Sequence, residues 1–518
     1  MTVLSILLTG LLGIFIYPTV IFGWHAPDLG WLAWIYLIPL FIALHRLYGA
    51  RRFFASFFSA LIFYLGSLYW LIAAMKNFGG LSLWESCGVL FLITLILSFY
   101  FAVSLSLACR IHERTGLPLF LLSASFLMAA DFLRTYFPVG GFPWSLPAYS
   151  QGAYLPYFQW VDVTGVYGLN FLVYLVNGLL AEIVSAVFRR TEKDHLINRF
   201  AILILLAMLS FFGSYWQSRK TEEVSDAGET VQVALIQGNI DQELKWDPKK
   251  AQRHLRKYLD LSDRAVQDAA DLVIWPETAF PYTVDLSILS VKQIFDRDSF
   301  PVPIIFGAVG EWPVVAPAEP MVYNSAFLLG QDMDVRQVYH KQHLVPFGEY
   351  VPMREWLTFA RRLTTAVGDF TPGNKFTLLE NGSLKIGTLV CYEDIFPDLA
   401  RGFAKTGANL LVNITNDAWY GDSSAQYQHL VFSQFRALEN RRPLLRATNT
   451  GITAVIDPRG ELLNWLPPFK EGILLKRVPL EAQTTLYGVL GDFVGWLSVI
   501  FSVAVFGFSL FKRKPYLI

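Results

Sequence analysis

Long apolar runs dominate the first 219 residues of the chain and return near its C terminus. A helix needs about 20 apolar residues to cross a hydrocarbon core of ~30 Å. The runs that approach or reach this length lie near 3–23, 29–45, 53–75, 84–109, 117–136, 168–188, 198–216 and 486–511. The pattern therefore predicts an α-helical transmembrane bundle of eight helices. The second run is short, and the fifth contains Asp131 and Arg134.

A different pattern occupies residues 231–478, where short apolar runs alternate with polar stretches. The runs are rich in Val, Ile and Leu and are bounded by Gly, Pro or Asn, as strands are. They cover 231–240, 271–277, 302–310, 323–329, 384–394 and 409–415. Residues 247–269 and 425–441 carry apolar positions at helical spacing. Strands that alternate with helices predict an α/β layered domain.

Composition and charge divide the chain at similar places. Of its 518 residues, 54% are hydrophobic and only 16% are charged, which is too apolar for an ordinary soluble enzyme. Residues 220–480 hold 27 of the 42 Lys and Arg and 32 of the 42 Asp and Glu. We therefore predict a seven-helix transmembrane region (1–219), a soluble domain (220–480), and an eighth helix with a tail (481–518). The net charge of zero gives no sign of nucleic-acid binding.

Basic residues in the short loops predict the orientation, because Lys and Arg are enriched on the cytoplasmic side of a membrane. Alternate loops and the C-terminal tail carry twelve of them, and the opposite loops carry only Lys76. The twelve are Arg46, Arg51, Arg52, Arg110, Arg114, Arg189, Arg190, Lys193, Arg199, Lys512, Arg513 and Lys514. Both termini are therefore predicted to be cytoplasmic. The soluble domain then lies on the outer face of the inner membrane, in the periplasm of a Gram-negative cell.

The outer loop 137–167 is rich in aromatic residues, Pro and Gly and has almost no charge. One interpretation is an aromatic belt at the membrane interface. The other is a re-entrant or lipid-lying wall beside an active site. The sequence leaves both open.

The three cysteines differ in their surroundings. Cys87 and Cys109 lie in apolar runs, which is typical of buried structural thiols. No CxxC motif and no Cys/His cluster is present, so we predict neither a zinc site nor any other metal or cofactor. Cys391 instead ends a strand-like run and is followed by acidic residues.

Two further ionisable residues, Glu277 and Lys341, also stand at the ends of apolar runs. Each of the three residues also has an ordinary interpretation. Glu277 could cap a helix that begins at Thr278, Lys341 could be a solvated lysine, and Cys391 could be a core thiol. Together they have a chemical purpose. A carboxylate can deprotonate a thiol, and an ammonium favours the thiolate and can stabilise an oxyanion.

The surrounding motifs resemble the nitrilase superfamily. They are WPETAF, HLVPFGEYVP after Lys341, and LVCYED followed by NITNDAWYG. The resemblance covers about 230–478 and implies an αββα sandwich with a catalytic Glu–Lys–Cys triad at Glu277, Lys341 and Cys391.

The flanking apolar runs resemble one membrane-bound family of that superfamily, the apolipoprotein N-acyltransferases, over the whole chain. This family moves an acyl chain from a phospholipid, typically phosphatidylethanolamine, to the N-terminal amine of the diacylglyceryl-cysteine of apolipoproteins. The resemblance implies a thioester acyl-enzyme on Cys391 and the last step of lipoprotein maturation.

Other residues receive supporting roles. The resemblance implies that Glu349 orients Lys341, and we expect the backbone N–H of Tyr392 to stabilise an oxyanion and Glu393 to support the nucleophile loop. Substrate contacts are expected at Trp419, Tyr420 and Arg446, with core packing as the alternative for the two aromatic residues and a structural or rim charge as the alternative for Arg446.

Three other functions remain open from the sequence. A membrane-tethered amidase would use the same triad on a soluble amide. A transporter or receptor would use the outer domain only to bind a ligand, and a degenerate enzyme would keep the scaffold as a binding module. We expect a monomer.

Overall fold

The computed structural model describes residues 2–512 except 22, 78, 190–192, 226–228, 289, 314–319 and 353–368. Three of the basic residues used to predict the orientation, Arg190, Arg513 and Lys514, lie outside the described residues.

Within the described residues, the N-terminal part is built from eight helices and one short hairpin. The helices are α1 (Thr2–Ile14), α2 (Ile38–Leu44), α3 (Ala50–Ser67), α4 (Leu71–Asn77), α5 (Leu83–Thr115), α6 (Leu119–Leu133), α7 (Val161–Arg189) and α8 (Lys193–Ser225). Strands β1 (Val20–Ile21) and β2 (Trp24–His25) form the hairpin. Two 3₁₀ segments, Gly30–Trp34 and Pro147–Tyr157, complete this part. At the C terminus α14 (Leu486–Leu490) leads into α15 (Phe493–Phe511).

Several of these helices are long and apolar enough to cross a membrane. Four pass by length and composition within the described residues: Leu83–Thr115, Val161–Phe188, Leu196–Arg219 and Phe493–Phe511. Helices α3 and α4 meet at a bend of 53° and would make a fifth span if they are one broken helix. The predicted count of eight is therefore not confirmed. The runs 3–23, 29–45 and 117–136 contain only the shorter apolar helices Thr2–Ile14, Gly30–Leu44 and Leu119–Leu133.

The soluble domain contains two packed β-sheets with helices on their outer faces. Its strands are β3 (Thr230–Gln237), β4 (Leu272–Ile274), β5 (Val284–Asp285), β6 (Ile304–Trp312), β7 (Met321–Leu329), β8 (Val335–His340), β9 (Leu379–Asn381), β10 (Leu384–Val390), β11 (Leu410–Thr415), β12 (Leu444–Thr448), β13 (Thr453–Ile456), β14 (Leu462–Leu466) and β15 (Gly472–Pro479). Its helices are α9 (Gln242–Lys245), α10 (Ala251–Gln267), α11 (Lys292–Phe295), α12 (Pro397–Lys405) and α13 (Ser424–Asn440). One sheet runs β15-β3-β4-β6-β7-β8, with β5 paired to β6, and the other runs β14-β13-β12-β11-β10-β9.

The predicted layered α/β domain is confirmed as an αββα sandwich. Strands β10, β11 and β12 are parallel, as are β3, β4 and β6. Parallel strands present their carboxyl ends at one edge, where loops can hold reacting groups on a rigid frame. The predicted helices at 247–269 and 425–441 are confirmed as α10 and α13.

The loop between α6 and α7 joins the two parts of the molecule. Arg134 donates hydrogen bonds to the carbonyls of Phe142 and Trp144, both at 2.7 Å. The indole of Trp144 donates to Gln428 on α13 at 2.8 Å and is almost fully buried. The central part of this loop therefore packs against the soluble domain. This contact favours the interpretation of the loop as a wall beside an active site over that of an aromatic belt at the membrane interface.

Candidate active site

Cys391 follows directly on β10 and opens a 3₁₀ turn, Cys391–Ile395. Its φ of +53° is in the left-handed region, which is strained for a residue with a side chain. The side-chain amide of Asn413 on β11 donates to its carbonyl at 3.1 Å and helps to hold this conformation. The thiol is buried. Burial and the charge of Glu277 raise the pKa of Cys391, and the charge of Lys341 opposes them.

Lys341 is the first residue after β8, and its side chain is 1% exposed. Its ammonium lies 2.9 Å from Glu349 Oε2 and 3.7 Å from Glu277 Oε1. Burial favours the neutral amine, but the two carboxylates outweigh it and raise the pKa of Lys341. Lys341 is therefore a buried cation at neutral pH, and its charge also acts on Cys391.

Glu277 follows the short strand β4 and is held on one side only. Asn324 on β7 donates from Nδ2 to Glu277 Oε1 and to Glu349 Oε1, both at 2.8 Å. Within the described residues, the buried Oε2 of Glu277 has no hydrogen-bond partner. One carboxylate oxygen is thus fixed and the other is free to accept a proton.

The backbone of Glu277 approaches β6 very closely. A Cβ at Gly307 would lie 2.6 Å from Glu277 Cα, which is closer than real Cβ atoms come. Glycine is therefore required at Gly307 to seat this carboxylate.

Glu349 is fully engaged at both oxygens. Oε1 accepts from Lys341 Nζ at 3.0 Å and from Asn324, and Oε2 accepts from the backbone N–H of Val345 at 2.8 Å. This geometry suits a residue that orients Lys341.

Glu393 connects the start of the turn that carries Cys391 to the segment that carries Lys341. Its Oε2 accepts from the backbone N–H of Val390 at 2.7 Å, immediately before Cys391. Its Oε1 accepts from the N–H groups of Gln342 and His343 at 2.7 and 3.1 Å, and from the Tyr339 hydroxyl. Burial raises the pKa of Glu393 to about 7, against the effect of these backbone donors.

Two of the predicted aromatic residues, Tyr392 and Tyr420, lie near the α6–α7 loop. The Tyr392 hydroxyl lies 3.5 Å from the Gly141 carbonyl. The half-buried ring of Tyr420 lies 4.9 Å from Trp70 and 6.4 Å from Trp144. Trp419 is also half-buried.

Arg446 was expected at a substrate head group, with a structural role as the alternative. It is fully buried on β12, and its guanidinium lies 3.0 Å from Asp394 and 2.8 Å from Asp417. With no exposed surface it has no route to a head group. The placement favours the structural alternative.

Two neighbours of the site were not predicted from the sequence. Asn324 is one. The other is Lys245 on α9, whose ammonium donates to the Glu277 carbonyl at 3.0 Å. Burial lowers the pKa of Lys245 to about 8, although the charges of Glu277 and Cys391 oppose this effect. Within the described residues no group of three or more His, Cys, Asp or Glu side chains is arranged to hold a metal ion.

Asn324→Leu is expected to lower acyl transfer by about 10²-fold, because one amide positions both carboxylates around Lys341 and small displacements of reacting groups are costly. The measurement is the single-turnover rate of the purified variant. Ser325→Ala is the matched control, since Ser325 is buried at the next position of β7 and bonds instead to His340. Equal rates for the two variants would contradict the positioning role.

Comparisons with known proteins cover nearly the whole chain. Residues 9–179 match the family model described as Apolipoprotein N-acyltransferase N-terminal domain, and residues 232–486 match the model for Carbon-nitrogen hydrolase. The apolipoprotein N-acyltransferase of Geobacter metallireducens is 38% identical over 94% of this chain and 92% of its own length. That of Shewanella oneidensis is 31% identical over 85% of this chain and 84% of its own length.

Solved structures that resemble the chain cover about half of it. Nit3 of Saccharomyces cerevisiae, a member of branch 10 of the nitrilase superfamily, is 20% identical over 48% of this chain and 90% of its own, with a TM-score of 0.37. An amidase from Nesterenkonia sp. is 22% identical over 50% and 94%, with a TM-score of 0.35. The two family models and the full-length relatives agree, and the chain belongs to the apolipoprotein N-acyltransferase family.

Proposed function

We propose that this protein transfers an acyl chain from a phospholipid to the N-terminal amine of the diacylglyceryl-cysteine of apolipoproteins, through a thioester on Cys391. One observation carries the chemistry. A buried thiol at a strained strand end shares its site with a buried ammonium and with a carboxylate that has a free oxygen. The named full-length relatives supply the substrate class.

The first half-reaction forms the acyl-enzyme. Glu277 Oε2 accepts the proton of Cys391, and the thiolate attacks the carbonyl carbon of the sn-1 ester. The ammonium of Lys341 and the backbone N–H of Tyr392 stabilise the tetrahedral oxyanion. The ester C–O bond then breaks, and the lysophospholipid oxygen takes the proton from Glu277.

The second half-reaction forms the amide. The acceptor amine attacks the thioester carbonyl, and Glu277 takes a proton from the amine nitrogen. The C–S bond breaks and Cys391 leaves as the thiolate, which is reprotonated by Glu277. The two half-reactions share one base and one oxyanion site, as expected for ping-pong catalysis.

Supporting residues keep this geometry. Glu349 orients Lys341, and Glu393 ties the nucleophile loop to the Lys341 segment. We assign Trp419 and Tyr420 to the contact with the acyl chains.

The membrane part brings the catalyst to its substrates. Donor and acceptor both carry long acyl chains, and each CH₂ buried in the bilayer contributes about 0.8 kcal/mol to their retention there. We propose three parts: residues 1–219 and 481–518 in the bacterial inner membrane, with cytoplasmic termini, and residues 220–480 in the periplasm. We further propose phosphatidylethanolamine as the donor and a monomeric enzyme.

Mass spectrometry of the full chain tests the proposal. The protein is incubated with phosphatidylethanolamine of one defined acyl chain at sn-1, and a gain of one acyl group on the Cys391 peptide is expected. A diacylated lipopeptide should discharge it, whereas a soluble short-chain amide should not compete. Absence of the acylated peptide, or turnover of the soluble amide instead, would favour the membrane-tethered amidase.

A further inference from the structure

Four charged side chains form a closed cluster near the nucleophile, and Asp417 of this cluster acts on the Cys391 thiol through its charge. They are His429 on α13, Asp394 in the turn after Cys391, Asp417 after β11, and Arg446 on β12. All four side chains have no exposed surface. Charges are almost never buried so completely unless each is paired.

The geometry fixes the protonation of His429. Its Nε2 lies 2.8 Å from Asp394 Oδ1, and its Nδ1 lies 2.9 Å from Asp417 Oδ1. A neutral imidazole has one nitrogen lone pair, which would here point at a carboxylate oxygen. Both nitrogens therefore carry protons. In agreement, the two carboxylates outweigh burial and Arg446 and raise the pKa of His429.

The other oxygens of the two carboxylates are held by Arg446. Its Nη1 lies 3.0 Å from Asp394 Oδ2, and its Nη2 lies 2.8 Å from Asp417 Oδ2. Two cations thus alternate with two anions around a ring, and the net charge is zero. Removing one charge leaves another uncompensated in the protein interior, which is strongly unfavourable.

Two short links connect this ring to Cys391, one along the backbone and one through hydrogen bonds. Asp394 lies three residues beyond Cys391 in the same 3₁₀ turn. Arg446 also donates to Asn413 Oδ1 at 2.6 Å, and the amide of Asn413 donates to the Cys391 carbonyl at 3.1 Å. The ring is therefore linked to the carbonyl of the strained residue and to the turn that follows it.

We propose that His429, as an imidazolium between Asp394 and Asp417, is a positioning residue that holds Cys391 in its reactive conformation. It does not touch the substrate or the reacting atoms. Its role rests on the proposed use of Cys391 as nucleophile. The reaction steps described above do not involve His429 directly.

The remaining groups around His429 do not replace this charge. The Tyr420 and Trp144 rings lie 6.3 and 5.8 Å from the imidazole. Ser433 donates to Asp394 Oδ2, and Arg436, which pairs with Glu439, donates to the Asp394 carbonyl. Among the described residues, only His429 and Arg446 bring cations to both carboxylates.

His429→Gln in the full-length protein tests the proposal. The glutamine amide is neutral and can donate to only one of the two carboxylates, Asp394 or Asp417. One negative charge near the thiol is then uncompensated. We expect kcat for transfer to a diacylated lipopeptide to fall at least about tenfold with KM unchanged. Iodoacetamide alkylation of Cys391, followed on its peptide by mass spectrometry, should shift to higher pH. The alkylation requires no acyl transfer, so failure of the proposed function would not hide this result.

The double variant Asp417→Asn/His429→Gln separates charge balance from packing. It restores a neutral ring, and we expect it to recover at least part of the lost rate and of the shifted alkylation profile. His254→Gln is the control for the loss of a buried histidine elsewhere, on α10. This variant is expected to keep the wild-type transfer rate and the wild-type alkylation profile. Should His429→Gln not accumulate, the double variant is still expected to accumulate and react. Wild-type behaviour of His429→Gln, or a double variant that does not accumulate or is at least as impaired as His429→Gln, would overturn the proposal.

Discussion

Cys391→Ala is expected to abolish acyl transfer, with a loss of roughly 10⁴-fold or more, because the proposed reaction passes through a thioester on Cys391 that alanine cannot form. Alanine removes only the sulfur, and the contacts that hold this backbone remain: the Asn413 amide on the carbonyl of residue 391 and the Glu393 carboxylate on the N–H of Val390. The variant should therefore fold, bind phospholipid and form no acylated peptide. The measurement combines single-turnover transfer with mass spectrometry of the intact protein.

Cys109→Ala provides the control for this loss. Cys109 is also a buried free thiol, but it lies in the membrane helix α5, far along the chain from the soluble domain. We expect this variant to form the acyl-enzyme at the wild-type rate. A Cys391→Ala protein that still carried an acyl group would mean that another residue is the nucleophile.

The sequence predicted six of the thirteen strands described in the soluble domain and its two longest helices, because the alternation of apolar and polar positions directly reflects burial. The helix predicted at 425–441 appears close to its predicted bounds, whereas the strand predicted at 384–394 begins as predicted but ends at Val390, where the turn that carries Cys391 begins. Glu277, Lys341 and Cys391 were recognisable because each follows an apolar run, and parallel strands bring such ends together.

Partners across the fold were not predictable in this way. Asn324 lies inside a strand, and only the pairing of β7 with its neighbours turns its amide towards two carboxylates that are distant in sequence. His429 lies among apolar residues of α13, where the sequence alone does not distinguish a charged pair from a core histidine. Both assignments need the three-dimensional contacts.

The membrane helices show a different limit. Hydropathy measures whether a run is apolar, not where its helix ends. Helix α1 ends at Ile14 although the apolar run continues to residue 23, and a 13-residue helix spans only about 20 Å. Pro18 lies in that continuation and cannot support a helix interior. The number of spans therefore depends on backbone geometry that hydropathy does not contain.

Glu277→Gln is expected to lower acyl transfer by about 10²- to 10⁴-fold, as for the loss of a general base. The amide is isosteric, and its oxygen can still accept the hydrogen bond that Asn324 donates to Oε1. An NH₂ group then replaces the free Oε2. The variant therefore lacks the carboxylate that returns a proton to the lysophospholipid oxygen and takes one from the acceptor amine in the proposed reaction.

The same substitution should make the thiol easier to ionise, which separates its two effects. Burial and the charge of Glu277 raise the pKa of Cys391, whereas the charge of Lys341 lowers it. Removing the carboxylate charge removes one of the effects that raise the pKa of Cys391, so iodoacetamide alkylation of Cys391 should shift to lower pH while transfer slows. If Glu277 only adjusted the ionisation of the thiol, the variant would instead transfer at least as fast as the wild type at neutral pH.

Glu349→Gln is the matched variant for this experiment, because Glu349 is also buried and contacts the same Lys341 and Asn324. Both of its oxygens are already occupied by donors, so it has no free oxygen for the thiol proton. We expect a clearly smaller loss than for Glu277→Gln. Equal losses would mean that the two carboxylates act as one unit around Lys341, and the assignment of the base to Glu277 alone would be wrong.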